Sequence, residues 1–197
     1  MRKLSILTTI AVSLSLLLIL VWAGFAAADP GNPKRLHLHG DYAFTGEAAC
    51  ITSLLGFDPD LTPKGTYFLT WFSVQGVWTF NGDGTGTREG RAVSVIGAPF
   101  PGASSQDFQA PFTYTLGPDD TFTTALSSPL TGKVLTGQRA GQTFTIDQIR
   151  LTGMISKDKK SLTIAAEEPQ IETVTYSDGT VHPRICHRSR VLLRLDD

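Results

Sequence analysis

Short stretches of this chain alternate between apolar and polar residues, and clusters of turn-forming residues separate them. Phe112, Tyr114 and Leu116 alternate with threonine, and Leu162 and Ile164 follow the same rule further along. The intervening clusters are Asn81-Gly82-Asp83-Gly84, Gly117-Pro118-Asp119-Asp120, Ser156-Lys157-Asp158-Lys159 and Ser177-Asp178-Gly179. A period of two places successive side chains on opposite faces, as in a β-strand with one buried face. The pattern predicts an all-β fold of consecutive hairpins.

Eight strands are predicted, and their spacing divides the connections into two kinds. The strands cover residues 40–53, 66–81, 84–96, 109–116, 121–127, 142–155, 160–177 and 181–195. Pro169 lies inside the seventh strand, and we expect a bulge or break there because proline has no backbone N–H. In an up-and-down arrangement, tight turns close one end. The other end is framed by three long connections, at 54–65, 97–108 and 128–141.

Eight antiparallel strands leave two unpaired edges unless the sheet closes on itself. Closure predicts a single up-and-down β-barrel, whose interior is filled by side chains or holds one small ligand. Cys50 and Cys186 lie near the same end of the first and last predicted strands, which closure makes neighbours. We therefore predict a disulfide between them across the seam, with two buried, unpaired thiols as the alternative.

The first residues have the composition of a secretory signal peptide. Arg2 and Lys3 precede a long apolar run, and Ala26-Ala27-Ala28 provides a small-residue cleavage site. The predicted division is a signal peptide at 1–28, a flexible segment at 29–39 and a barrel domain at 40–197. The protein is then secreted or periplasmic, which permits a disulfide. An uncleaved N-terminal membrane anchor is the alternative, because the run exceeds 18 residues.

The charge of the mature chain disfavours one class of partner. Without Arg2 and Lys3 the 17 basic residues fall to 15 against 18 acidic ones, a formal charge of −3. A protein that binds nucleic acid through its general surface should be basic, so no nucleic-acid partner is expected. Membrane contact is expected only through the signal segment, if it stays uncleaved.

Two segments carry a resemblance to known proteins. Gly40-Asp41-Tyr42-Ala43-Phe44 opens the first predicted strand, and Trp78-Thr79-Phe80-Asn81-Gly82-Asp83-Gly84-Thr85 forms a central hairpin. Together with the signal peptide and a basic last strand, they resemble secreted bacterial β-barrels of calycin or lipocalin-like shape. The resemblance implies a closed, calycin-like barrel. Tyr42 stands where the lipocalin opening motif Gly-x-Trp has tryptophan, so no functional residue is carried over.

Apolar side chains in the long connections are the predicted ligand contacts. Leu55 and Phe57 lie in the first of these connections, and Phe100 and Phe108 lie in the next. At the mouth of a barrel such residues suit a lid over a small hydrophobic ligand. The alternative is that they fill the barrel as additional core.

The last predicted strand carries a row of arginines on one face. By parity with Cys186, this face holds Arg184, Arg188, Arg190 and Arg194. We interpret it as a solvent face paired with acidic neighbours; a stripe that binds an anionic glycan, a lipid headgroup or a partner protein is the alternative. Arg88 is not expected to join it, because its strand is not adjacent in the predicted order.

No metal site, cofactor or catalytic residue is predicted. His39 and His187 belong to opposite ends of the barrel, about 30 Å apart at strand rise, and His37 with His39 is typical of solvated sequence. The calcium-like rhythm that begins at Asn81 lacks an acidic twelfth residue, since Ala92 stands there. Gly-x-Ser-x-Gly, His-Glu-x-x-His and Cys-x-x-Cys motifs are also missing.

These patterns favour a secreted, non-enzymatic barrel that binds a small apolar or amphipathic ligand at its long-loop end. A structural or envelope-interaction protein with a filled barrel is the alternative. A barrel isomerase or cyclase is the third hypothesis, and it requires an acid and a base held in opposed environments inside the cavity.

Overall fold

The computed structural model describes residues 37–195, and every regular element within them is a β-strand. The strands are β1 (His39–Ser53), β2 (Tyr67–Asn81), β3 (Thr85–Ile96), β4 (Gly102–Leu116), β5 (Thr121–Leu126), β6 (Leu130–Val134), β7 (Thr143–Ile146), β8 (Arg150–Ile155), β9 (Ser161–Ala165), β10 (Ile171–Tyr176) and β11 (Val181–Arg194). Buried and exposed positions alternate along most of their lengths. The predicted all-β class is confirmed.

Eight strand positions close into a ring of hydrogen-bonded, antiparallel pairs. The order runs β1-β2-β3-β4-β5-β8-β9-β11, and β11 pairs back onto β1. Three further strands, β6, β7 and β10, complete the ring toward the long-loop end, where they link β4 to β11. The antiparallel sheet and its eight-membered ring are thus established. A closed barrel of the calycin type is a more specific assignment and stays a prediction.

Two of the eight predicted strands are interrupted part-way, and one observed strand lies in a predicted connection. The predicted strand 121–127 corresponds to β5, and β6 follows within the predicted connection 128–141. The predicted strand 142–155 comprises β7 and β8, and 160–177 comprises β9 and β10. The break between β9 and β10 contains Pro169, as expected for a residue that cannot donate to the ladder.

The connection before β4 is shorter than predicted because this strand begins at Gly102. The first half of β4 lacks apolar alternation, yet it pairs with β3 residue by residue from Gly102 to Asp107. Arg91 of β3 and Asp107 form a bidentate ion pair on the outer face, with N–O distances of 2.6 and 2.9 Å. Phe108, expected in a loop, is instead a buried residue within the strand.

The predicted disulfide crosses the seam where the ring closes. Cys50 of β1 lies directly opposite Cys186 of β11 in the antiparallel register. Their sulfur atoms are bonded at 1.97 Å, across 136 residues of sequence. Neither cysteine is free. The covalent link therefore joins the first and last strands of the ring.

The two ends of the ring differ in their connections. Tight turns at 82–84, 117–120 and 156–160 lie at one end, as predicted. The long-loop end carries the connections 54–66, 97–101, 135–142 and 177–180. Two of these, 54–66 and 135–142, are long, and the other two are short. The predicted difference in loop length between the two ends is present, although the connection 97–101 is shorter than the predicted 97–108.

Aromatic side chains fill the half of the ring nearest the tight turns. The set comprises Tyr42, Trp78, Phe80, Phe112, Tyr114 and Phe122, none more than 6% exposed. Phe80 makes edge-to-face contacts at centroid distances of 5.1 Å to Tyr42 and 5.2 Å to Tyr114. Such pairs add to the free energy gained by burying the rings. This half of the interior is a packed core.

A buried hydrogen bond ties the start of the described chain to this core. The hydroxyl of Tyr114 donates to the backbone carbonyl of Leu38 at 2.8 Å, and Leu38 is only 1% exposed. Leu38 and His39 fall in the segment 29–39 that was predicted to be flexible, and in the structure they belong to the core and to β1. The rest of that segment up to residue 36, and the predicted signal peptide 1–28, lie outside the described residues.

Replacing Tyr114 with phenylalanine should lower the free energy of unfolding by about 1 kcal/mol. The variant keeps the aromatic ring but removes the hydroxyl that donates to the Leu38 carbonyl. A typical intramolecular hydrogen bond contributes about 1 kcal/mol to the free energy of unfolding. Urea unfolding measures the difference. Tyr67→Phe is the matched control, because the Tyr67 side chain is half exposed. Equal losses in both variants would contradict a special role for the Tyr114 hydroxyl.

The structure also bears on the possibility of a membrane anchor. Between residues 37 and 195 there is no helix with the length and apolar character needed to cross a bilayer. The predicted N-terminal anchor lies outside that range, so signal cleavage stays a prediction.

Candidate ligand-binding site

The arginine-bearing face of β11 points into the ring, not toward solvent. Arg188 and Arg190 are only 5% and 8% exposed, and the side chain of Arg184 is 11% exposed. Arg194, near the end of the strand, is exposed. The parity prediction was correct, but the assignment of this face to solvent was wrong. The opposite face, with Val191 and Leu193, is the exposed one.

The disulfide explains this orientation. Cys50 projects to the same side of β1 as the core residues Tyr42 and Phe44, so its partner Cys186 must project inward from β11 as well. Residues two and four positions further along a strand share that direction. Arg188 and Arg190 are therefore carried inside by their spacing from Cys186. This parity with the bonded cysteine was the sequence signal that could have located them.

Glu172 of β10 is the acidic centre of this interior. Its carboxylate oxygen Oε2 accepts hydrogen bonds from Nε of Arg184 at 3.1 Å and from Nη2 of Arg188 at 2.6 Å. Oε1 accepts a further bond from Nη1 of Arg188, which completes a bidentate pair. Glu172 is 1% exposed and is the only acidic side chain among the buried residues of 37–195.

Two further buried arginines lack such pairing. Atoms Nε and Nη2 of Arg88, and Nε and Nη1 of Arg190, are buried without a hydrogen-bond acceptor. The Arg88 guanidinium lies 5.2 Å from the centroid of the Trp78 ring, and that of Arg190 lies 5.5 Å from the Phe44 ring. Cation–π contact compensates only part of the cost of burying a charge.

Sequence analysis excluded Arg88 from the arginine group because β3 and β11 are not neighbours in the sheet. That exclusion was wrong, because inward side chains on non-adjacent strands approach each other across the ring. The positive charge of Arg88 interacts with those of Arg188 and Arg190. We call Arg88, Glu172, Arg184, Arg188 and Arg190 the buried charge cluster.

The cluster has an excess of positive charge. Four arginines and one glutamate give a formal charge of +3. Burial, reinforced by the charge of Arg188, lowers the pKa of Arg88 to about 9. The pKa of Arg190 lies well below its usual range because of burial and then the charges of Arg88 and Arg188. Since arginine keeps its proton in proteins, these shifts express how strongly the interior disfavours its cations.

Glu172 is held in its charged form by the same neighbours. Burial raises the pKa of its carboxyl group, but the charges of Arg188 and Arg184 outweigh burial, and the pKa falls below its ordinary value of 4.5. At neutral pH the carboxylate is therefore ionised and fully engaged by these two arginines. Its charge offsets only part of the charges of Arg88 and Arg190, and each of these arginines keeps two buried nitrogen atoms without an acceptor.

Two adjoining cavities lie between the arginines of β11 and the long-loop end. The inner cavity, about 50 Å³, is lined by Arg184, Arg188 and Arg190 together with apolar side chains. The mouth cavity is about 310 Å³ and opens among the loops. Five residues line both cavities, namely Phe72, Gln106, Phe144, Ile146 and Arg184. The interior is thus hollow toward the loops and packed toward the tight turns.

Aromatic side chains surround the mouth cavity. The Phe100 ring packs edge-to-face on Phe68 at 5.7 Å, and His182 contacts Phe68 at 6.1 Å and Tyr176 at 5.5 Å. The guanidinium of Arg139 lies 4.3 Å from the Tyr176 ring centroid. Burial, and then the charge of Arg139, lowers the pKa of His182. Its imidazole is therefore mainly neutral at pH 7.

The four predicted ligand contacts have different positions. Phe100 lines the mouth cavity and is 48% exposed, as a lid residue would be. Phe108 lines the inner cavity from β4. Leu55 is 72% exposed and packs near Gly65, and Phe57 forms a bridge to Pro63; neither lines a cavity that reaches the interior. The structure brings Phe100 and Phe108 to adjoining cavities and leaves the other two in the outer loop.

The histidines do not form a group. Within residues 37–195, no three side chains of the His, Cys, Asp and Glu types are arranged to hold a metal ion. His39 and His187 are exposed, while His182 belongs to the mouth cavity. The buried charge cluster, with one carboxylate and four guanidinium groups, has the composition of an anion site, not of a cation site.

Comparison with known proteins adds no relative. The chain matches no protein-family model, no curated protein and no solved structure.

Proposed function

We propose that this chain is a secreted, non-enzymatic binding protein whose closed, calycin-like barrel takes up a small amphipathic molecule at its long-loop end. The observation that carries the proposal is the mouth cavity of about 310 Å³, which is lined by Arg184 of the buried charge cluster and shares five lining residues with the inner cavity. That volume lies at the lower end of the range for small-molecule pockets. A molecule with a short chain or a single ring system suits it.

The lining of the cavity supports an amphipathic molecule. Its walls include Phe68, Phe72 and Phe100, which offer apolar contact, and it narrows toward Arg184. Pockets for small ligands typically combine such apolar walls with a few polar groups that fix orientation. The disulfide supports an oxidising compartment, because such bonds are rare in the cytosol.

The alternative of a filled structural barrel draws support from the aromatic half of the interior. Phe80, Phe112 and Phe122 pack against one another there, with centroid distances of 5.4 Å from Phe80 to Phe112 and 6.0 Å to Phe122. This packing fits a barrel that serves as a rigid body. It does not extend to the mouth cavity, which is why we favour the binding function.

Native mass spectrometry tests the proposed function directly. The full chain is expressed into an oxidising compartment, purified and examined for a non-covalent mass that is lost on denaturation. We expect either a reproducible small adduct or saturable binding of added decanoate by calorimetry. A bare protein mass together with no binding of decanoate would overturn the proposal and favour the filled barrel.

Replacing Phe100 with serine should weaken binding of decanoate at least about fivefold. The substitution removes apolar surface from the mouth, and partial burial of a phenylalanine contributes roughly 1 kcal/mol. The half-exposed position should make the change in unfolding free energy small. Calorimetry measures the affinity, and urea unfolding measures the stability.

Leu55→Ser is the matched control for Phe100→Ser, because Leu55 is an exposed apolar loop residue that does not line the cavity. It should leave decanoate binding unchanged. A large loss of stability in Phe100→Ser without a change in affinity would show that Phe100 is part of the core and not a lid.

A further inference from the structure

The unpaired arginines of the buried charge cluster are costly to the fold. A buried charge without a hydrogen-bonded partner is strongly destabilising, and proteins usually pair such groups. Arg188 and Arg184 share the carboxylate of Glu172, whereas Arg88 and Arg190 each keep two buried nitrogen atoms without an acceptor. Apolar residues would fill the same space more stably. The cluster therefore points to a role other than stability.

Arg190 connects this charge excess to accessible space. It lines the inner cavity with Arg184 and Arg188, and that cavity adjoins the mouth cavity. Arg184 and Arg188 are already hydrogen-bonded to Glu172, so Arg190, with two nitrogen atoms lacking an acceptor, is the arginine most in need of an anionic partner at this cavity. Guanidinium groups bind carboxylate and phosphate through parallel N–H bonds of matched geometry. The remaining cavity wall is mostly apolar.

We infer that Arg190, with Arg184 and Arg188, binds the carboxylate headgroup of an amphipathic ligand whose apolar body occupies the mouth cavity. The inference rests on the proposed binding function and names its ligand class. The inner cavity of about 50 Å³ has room for a group of only a few heavy atoms. This size favours a carboxylate over the bulkier phosphate or sulfonate. The anionic end of the ligand enters first and lies deepest, and the apolar body follows it into the mouth cavity.

Because the cluster has an excess of positive charge, a carboxylate suits the inner cavity by its charge as well as by its size. One bound carboxylate reduces the formal charge of the cluster from +3 to +2, and it places an acceptor beside Arg190, two of whose nitrogen atoms have none. In a desolvated site such charge-assisted bonds are about twice as strong as neutral ones. A neutral ligand of the same shape gains none of this.

Calorimetric titration with three probes of equal chain length tests the inference. Decanoate, decanol and decyl phosphate are titrated into the full chain expressed in an oxidising compartment. We expect decanoate to bind about tenfold or more tightly than decanol, the ratio produced by a charge-assisted hydrogen bond, and also more tightly than decyl phosphate.

The outcomes separate the inference from the proposed function. Equal affinities for decanoate and decanol would leave the binding function intact and overturn the carboxylate site. Preference for decyl phosphate would replace the carboxylate with a phosphate ligand and overturn the inference. No binding of any probe would overturn the inference, and together with a bare native mass it would overturn the proposed function as well. None of these results depends on whether a variant folds.

Arg190→Met provides the second test. The variant should lose the preference for decanoate over decanol, while its urea midpoint stays equal to or above that of the wild type, because an unpaired charge is replaced by an apolar side chain of similar length. Arg91→Met is the control, since Arg91 is an exposed arginine paired with Asp107 on the outer face; it should keep the full preference. Retention of the preference by Arg190→Met would remove Arg190 from the site.

Discussion

Replacing Glu172 with glutamine is expected to lower the free energy of unfolding by about 3–5 kcal/mol, the cost of breaking a buried ion pair by removing one partner. The variant keeps the shape of the side chain but removes the carboxylate that pairs with Arg184 and Arg188, the only buried one between residues 37 and 195. Four buried guanidinium groups would then have no anion among them. Urea or thermal unfolding at pH 7 measures the loss.

The pH dependence gives this prediction a second readout. The pKa of Glu172 is lower in the folded protein than its ordinary value of 4.5, so its charge stabilises the fold fully above that value. The contribution is lost as the pH falls through the folded pKa. The difference between wild type and Glu172→Gln should be greatest above about pH 5 and should narrow in stronger acid. A constant difference from pH 7 to pH 3 would contradict the ion-pair account.

An exposed glutamate serves as the control for this charge effect. Glu89 lies on the outer face of β3, and Glu89→Gln should change the free energy of unfolding by less than about 0.5 kcal/mol. If Glu172→Gln proved equally mild, the arginines would have found another compensating group. The buried charge cluster would then be less dependent on its carboxylate than its geometry implies.

Removing the seam disulfide is expected to cost about 2–5 kcal/mol. The bond closes a loop of 136 residues, and long loops lose the most chain entropy when they are cross-linked. The double variant Cys50→Ala, Cys186→Ala should unfold at lower urea than the oxidised wild type. Adding reductant to the wild type should move its midpoint to that of the variant, and the variant itself should not respond.

Thiol counting provides the check on the starting material. Unreduced protein should contain no free cysteine, in agreement with the bonded pair. A reduced wild type as stable as the oxidised protein would show that the β1–β11 hydrogen bonds hold the seam without the covalent link.

Local signals predicted most of the strands. These signals are the alternation around Phe112 and Leu162 and the turn residues between strands. Each depends on only a few neighbouring positions, and the predicted strands and turns are present in the structure. The break between β7 and β8 has no such local signal, and β6 was missed inside the predicted connection 128–141. The start of β4 at Gly102 was missed for a related reason, because pairing with β3 forms it, and the polar sequence of 102–107 shows no alternation.

The candidate site depended on longer-range information. Val191 and Leu193 looked like the buried face of β11, and the arginines like its solvent face, because hydropathy alone favours that choice. The bond between Cys186 and Cys50 fixes the opposite orientation of β11, with the arginines inside. Arg88 joins the cluster across the interior, a contact that sheet order does not reveal. Phe100 lines the mouth cavity, and its position at the open end was predictable because an apolar residue in a connecting loop is a local feature of the sequence.

The pairing of β1 with β11 also constrains the order in which the fold can form. β1 is made first and β11 last among the described strands, and each is the other's neighbour. During synthesis the edge of β1 that pairs with β11 therefore remains unpaired until almost the entire domain has been made. Contacts that span such sequence distances form slowly, and open edges favour aggregation meanwhile. Three of the four arginines of the buried charge cluster, Arg184, Arg188 and Arg190, lie on that final strand, so the cluster is complete only when the ring closes.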